Sequence, residues 1–187
     1  MNNLLDIIGS MIIAGTISVM VINFNTQMQR SAEEIFKSAV GQQSARDAAE
    51  ILESDMYRIG NRVVGQRITL ADSVQIEFRG DIDNNLVADT IRYYTGTPES
   101  IERVYEKPLY RKLGNSNPQL VAIVSELNFS YFDSLGVELA PYLLTNPIVR
   151  NRVKTIGIRL ITRSPEYMGN ENYQSTEWLR RIRPMNL

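Results

Sequence analysis

The stretch "DIDNNLVAD", residues 81–89, sets oxygen-bearing side chains at alternate positions: Asp81, Asp83 and Asn85, with Asp89 closing it. Hard cations such as calcium take oxygen ligands, and calcium loops open with this spacing. Such loops also need a glycine at the sixth place and a bidentate glutamate at the twelfth. Leu86 and Arg92 stand at those places. The stretch is therefore read as a polar hairpin loop, with a cation site as the alternative, and no metal is expected.

Other groups with chemistry are few. Glu50, Glu53 and Asp55 are close in sequence, but on a helix Glu50 and Glu53 neighbour Arg46 and Tyr57, the pattern of a solvated charged face. "WLRRIRP" holds the basic cluster Arg180, Arg181 and Arg183, which fits a solvated strand or tail, or a contact with acidic lipid or an acidic partner. Tyr173 and Trp178 are the better contact candidates, because aromatics are enriched at interfaces, and they serve equally well as core. The chain has no histidine and no cysteine. Histidine general bases, Ser-His and Cys-His pairs, disulfides and thiolate metal sites are excluded. No catalytic pair emerges; an enzyme and a cofactor are not expected.

Asp6 is the remaining oddity. It lies in an otherwise apolar run, residues 4–24, long enough to cross a bilayer, which takes about 20 residues. A carboxylate at the centre of such a helix costs roughly 2.5 kcal/mol or more, and less near an end. A cleaved signal peptide fits poorly: no Lys or Arg precedes Leu4, and Asn23, Phe24, Asn25 and Thr26 follow Ile22 without a small-x-small site. The run is read as a membrane-spanning helix. Gly9, Ser10, Gly15, Thr16 and Ser18 permit close helix–helix approach, although small residues are common in membrane helices generally. Arg30 and Lys37 follow the span, so the positive-inside rule alone would place the C-terminal side in the cytoplasm; Glu33 and Glu34 lie among them and the bias is small.

The elements that carry these residues follow from periodicity. Phe24, Met28, Ile35, Phe36, Ala39 and Val40 recur at helical steps, and Ala45, Ala48, Ala49, Leu52, Met56 and Ile59 continue the stripe. Gly60-Asn61 is a stop signal. One helix over residues 4–59 would measure roughly 80 Å at 1.5 Å per residue. Strand-like segments follow: "VQIEFRG", "DTIRYYTG", "RVYEKPLYRKL" with Pro108 as an edge or break, "LVAIVSELNFSYFDSLGVEL" and "RVKTIGIRLITRS". The fold class is α+β: a membrane-spanning part over residues 1–24, an amphipathic continuation over 25–60, and a domain over 61–187 built on a mostly antiparallel sheet. With 187 residues, 43% hydrophobic, the chain can bury a core, and a net charge of −1 argues against a nucleic-acid partner.

In this order and spacing, four stretches carry a resemblance: "ILESDMYRIGNRV", "IEFRGDIDNNLVADTIRYY", "VSELNFSYFDSLGVEL" and "VKTIGIRLITRS" with the closing "RRIRPMNL". Together they resemble the type IV pilin-like superfamily, and within it the J-type minor pseudopilins of type II secretion and the W-type minor pilins. The resemblance implies a non-enzymatic subunit anchored in the inner membrane, its globular domain in the periplasm or outside, assembling with other pilin-like subunits through parallel helices into a filament or its tip. Membrane lipid is the other implied partner. Asp6, Gly9, Gly15 and Phe24 would then carry assembly. Pilins place a glutamate at the fifth mature position, thought to meet a neighbour's N-terminal amine; counted from Asn2, Asp6 is fifth. An acid near the N-terminal end of the helix also interacts with the helix dipole or sits at headgroup level. The sequence departs from the family in lacking a basic leader ending in glycine, and in carrying Asp for Glu; it begins after processing or is not processed. The competing reading is a single-pass envelope sensor or scaffold outside any filament.

Overall fold

The computed structural model describes residues 2–98, 106–163 and 175–187. Contacts divide the chain into two compact units, Met1–Val40 and Gly41–Leu187. Helix α1, Asn2–Tyr57, contributes to both. It stops at Tyr57, two residues before the stripe's last member, and residues 58–61 continue as turns in which Gly60 takes the left-handed conformation with φ 77°.

The second unit is α+β. Strands β1 (Ile68–Ala71), β2 (Gln75–Gly80), β3 (Asp89–Thr95), β4 (Lys107–Leu113) and β5 (Gln119–Val124) form one antiparallel sheet in chain order. Strands β6 (Glu126–Phe132), β7 (Thr155–Arg163) and β8 (Ser175–Ile182) form a second. A short 3₁₀ helix, Pro141–Thr145, and helix α2, Pro147–Arg150, connect β6 to β7.

The expectation of one sheet thus gives way to two, and Ser125 is where the chain changes sheets. Its amide and its hydroxyl both donate to the Ile161 carbonyl on β7, at 2.8 and 3.0 Å. Pro108 also differs from expectation. It sits inside β4, which is central, between β3 and β5. Its carbonyl accepts from the Gly96 amide at 2.8 Å, so the side from which proline lacks a donor faces a residue just past the end of β3. No bond of the β3 ladder is lost there. Strand β1 was not read from the sequence, and "WLRRIRP" supplies most of β8 rather than a tail.

One core joins both sheets and the rear of α1. Ala48, Leu52 and Met56 from the helix meet Phe78, Ile91 and Tyr93 from the first sheet and Phe129, Tyr131, Ile156, Ile158 and Leu160 from the second. Alternation makes this possible: β2 and β6 each bury every second side chain. Cross-sheet bonds fix the two layers, from the Phe129 amide to the Ser73 carbonyl at 2.7 Å and from the Tyr131 hydroxyl to the Asp72 carbonyl at 2.9 Å.

The end of α1 is bound to β2. The Gly60 amide donates to the Arg79 carbonyl at 2.9 Å and the Asp81 amide to the Asn61 carbonyl at 3.1 Å. A Cβ at Gly80 would collide with the Arg58 carbonyl, so only glycine lets the two backbones lie this close. The Asp133–Gly136 turn forms as its residues predict. The Asp133 carboxylate accepts from the amides of Leu135 and Val137, at 2.9 and 3.0 Å, and Gly136 has φ 78°.

Candidate functional site

Within the first unit, the helix exposes its apolar residues on every side. Leu4, Ile7, Ile8, Met11, Ile12, Ile13, Ile17 and Phe24 are all at least half exposed. Its most apolar window has mean hydropathy 2.1 and no buried residue, so this helix is long and apolar enough to cross a membrane. The polar groups of the run are consistent with that medium. The hydroxyls of Ser10, Thr16, Ser18 and Thr26 donate to the carbonyls of Ile7, Ile13, Ala14 and Ile22 at 2.8–2.9 Å. Each donor is satisfied within its own helix, which removes the cost of an unpaired hydroxyl in hydrocarbon.

Asp6 is exposed on this helix, as is Phe24, while Gly9 is partly covered. A Cβ at Gly9 or Gly15 would meet nothing within 4 Å, so both present open backbone to whatever packs there. The expected stripe, by contrast, divides in two. Ala45, Ala48, Ala49, Leu52, Met56 and Ile59 are buried, but Phe24, Met28, Ile35, Phe36 and Val40 are at least half exposed.

In the second unit, Trp178 on β8 is half-buried against the core and also lines a shallow cleft with Arg46, Glu50, Glu53 and Tyr57. Glu53 pairs with Arg180 at 3.3 Å on the same surface. Tyr173 lies outside the described residues. Asp81, Asp83 and Asp89 converge, each bringing one carboxylate oxygen within 4.8 Å of the others. Asn85 is occupied locally: its amide nitrogen donates to Asp83 Oδ2 at 2.9 Å and its Oδ1 accepts from the Val87 amide at 2.7 Å.

Asp55 is not part of a solvated face. It is 5% exposed, accepts from the Tyr93 hydroxyl at 2.6 Å, and pairs with Arg111 Nε at 2.6 Å and Nη2 at 3.3 Å. Burial, then the Asp55 charge and hydrogen bond, pushes the Tyr93 hydroxyl well above the ordinary tyrosine range, with Arg111 opposing. The Asp55 hydrogen bond likewise raises the Arg111 guanidinium. The signal was in the spacing: position 55 is three after Leu52 and four before Ile59, on the buried stripe.

Comparison of the chain with family models, curated proteins and solved structures gave no match.

Proposed function

We propose that this chain is a non-enzymatic, pilin-like minor subunit that assembles with related subunits through parallel N-terminal helices. In this reading the apolar part of α1 is held in the inner membrane before assembly. The domain of residues 41–187 lies in the periplasm or outside the cell, and the filament or tip complex forms by side-by-side helix packing. The observation that carries the reading is the all-round apolar exposure of the front of α1, with its hydroxyls satisfied internally and a single acid, Asp6, among its first residues. Bilayer alone accounts for the apolar surface, and the helix dipole or the headgroup level accommodates an acid at this end. Once helices pack side by side the acid is buried, and a neighbour's amine is the partner that makes a buried carboxylate tolerable.

The absence of native cysteines makes the test direct. Single cysteines at Val21 and Gln27, with counterparts in candidate pilin-like partners, are oxidised in the native host and the products identified by mass spectrometry. Specific cross-links between N-terminal helices are expected, and Asp6→Ala is expected to abolish them while the second unit stays folded. If a known pilin pair links as a control and this chain does not, the filament reading fails and the anchored sensor or scaffold replaces it.

A further inference from the structure

We infer that the loop between β2 and β3 is a calcium site, formed by the carboxylates of Asp81, Asp83 and Asp89. Two independent observations carry this. The first is convergence, with one oxygen of each carboxylate within 4.8 Å of the other two. Three like charges this close repel one another unless a cation lies among them. The second is Asp81 itself. Its side chain is fully buried, and while Oδ2 accepts from the Leu86 amide at 3.1 Å, Oδ1 is buried with no hydrogen-bond partner among the described residues. The other buried side-chain atoms left without a partner there, on Gln66, Arg67, Arg92 and Arg150, are all nitrogens. A buried carboxylate oxygen with no donor, on a side chain that lies within reach of two further carboxylates, calls for a metal ion rather than a proton donor.

The protein's own cations do not fill this role. Arg62 reaches Asp81 Oδ2 at 3.5 Å from a half-exposed position, on the oxygen that already has a donor. Arg58 is committed to the Ile82 carbonyl through Nη1. Arg92, where a calcium loop carries its bidentate glutamate, turns to Gln75 Oε1 at 2.6 Å. The backbone nevertheless takes the required course. Leu86, at the place of the usual glycine, has φ 75°, and Asn84 has φ 61°. The ligand type is hard oxygen throughout, and an irregular loop suits calcium, which accepts flexible geometry, better than magnesium, which demands a near-ideal octahedron. Lacking the bidentate glutamate, the site belongs with weak extracellular modules, with a Kd of about 0.1–1 mM.

The inference is independent of the filament reading. To test it, the full chain in detergent micelles, stripped with EDTA, is titrated with calcium and separately with magnesium by calorimetry, and its thermal unfolding is followed in parallel. Saturable binding of one calcium per chain is expected, with a raised Tm and affinity at least about tenfold above that for magnesium. Asp83→Ala, at an exposed position where folding is not at risk, should weaken binding at least about tenfold. Asp47→Ala, on an exposed position of α1, should leave it unchanged. Absence of a calcium-dependent heat and Tm shift up to about 10 mM calcium, ten times the weak limit for such modules, would overturn the assignment. So would an Asp83→Ala response equal to that of the parent chain, or magnesium binding as tight as calcium.

Discussion

The two ends of α1 spend apolar side chains differently. Ile13 is 60% exposed and Phe24 62%, while Leu52 and Met56 are fully buried. All four lie in one helix. The rear segment is amphipathic, with Glu50 and Glu53 opposite a single buried stripe, so its burial is completed by the chain's own sheets. The front segment is apolar around its circumference, which no single packing partner can cover. Periodicity therefore separates a helix that stabilises its own domain from one whose surface is matched to a different solvent or to other helices. The acids obey the same division. Asp55 is buried and ion-paired; Asp6 is exposed.

The comparison can be broken most sharply with core truncations. Leu52→Ala should cost the second unit about 3–5 kcal/mol in denaturant unfolding, the range for emptying a fully buried leucine site. Ile13→Ala should stay within about 0.5 kcal/mol in the same assay, as an exposed position does. An equal loss at Ile13 would mean that the front segment stabilises the domain. Next come the acids. Asp55→Ala strands Arg111 and the Tyr93 hydroxyl and should cost about 2–4 kcal/mol, below the fully buried limit because the Arg111 side chain is 17% exposed. Asp6→Ala should leave the domain's unfolding unchanged.

The smallest effect near neutral pH is also the most selective. No tyrosine occurs before Tyr57, so alkaline titration reports on the second unit alone. Tyr93 and Tyr131 both have hydroxyls raised chiefly by burial. A raised folded-state pKa means that the native protein retains a proton the unfolded chain has lost. Stability is then complete below the unfolded tyrosine value of about 10 and falls above it, by up to about 1.4 kcal/mol per pH unit for each residue. Unfolding midpoints measured from pH 9 to 11 should bend downward near 10, and Tyr131→Phe should halve the slope.

Much of the fold was legible because its elements have clean periods. The stripe from Ala45 to Ile59, the alternation of β2, β3, β6 and β7, and the Asp133 turn follow directly from side-chain spacing. The division at Ser125 was not legible, since "LVAIVSELNFSYF" stays strand-like on both sides of the junction, with no glycine or proline between, and a serine gives no local sign of changing sheets. Pro108 misled for a related reason: its tolerance depends on where β3 ends, which is information from another strand. Asp55 belongs by type to a charged face, and only its place on the stripe, between Leu52 and Ile59, points to burial. The convergence of Asp81, Asp83 and Asp89 accompanies two left-handed residues: Asn84, a type that takes that conformation readily, and Leu86, whose type gives no sign of it.

The junction between α1 and β2 also bears on the order of folding. It ties residue 60 to residue 79 and residue 61 to residue 81, whereas the Arg180–Glu53 pair joins groups 127 residues apart. Closing a short loop costs less chain entropy than closing a long one, and contacts of low sequence separation are reached sooner. The helix end and first hairpin are thus expected to condense early, with β8 docking late. Trp178, the only tryptophan, sits on that last strand, so its fluorescence should lag behind helix formation in stopped-flow refolding; simultaneous signals would argue for a single concerted step.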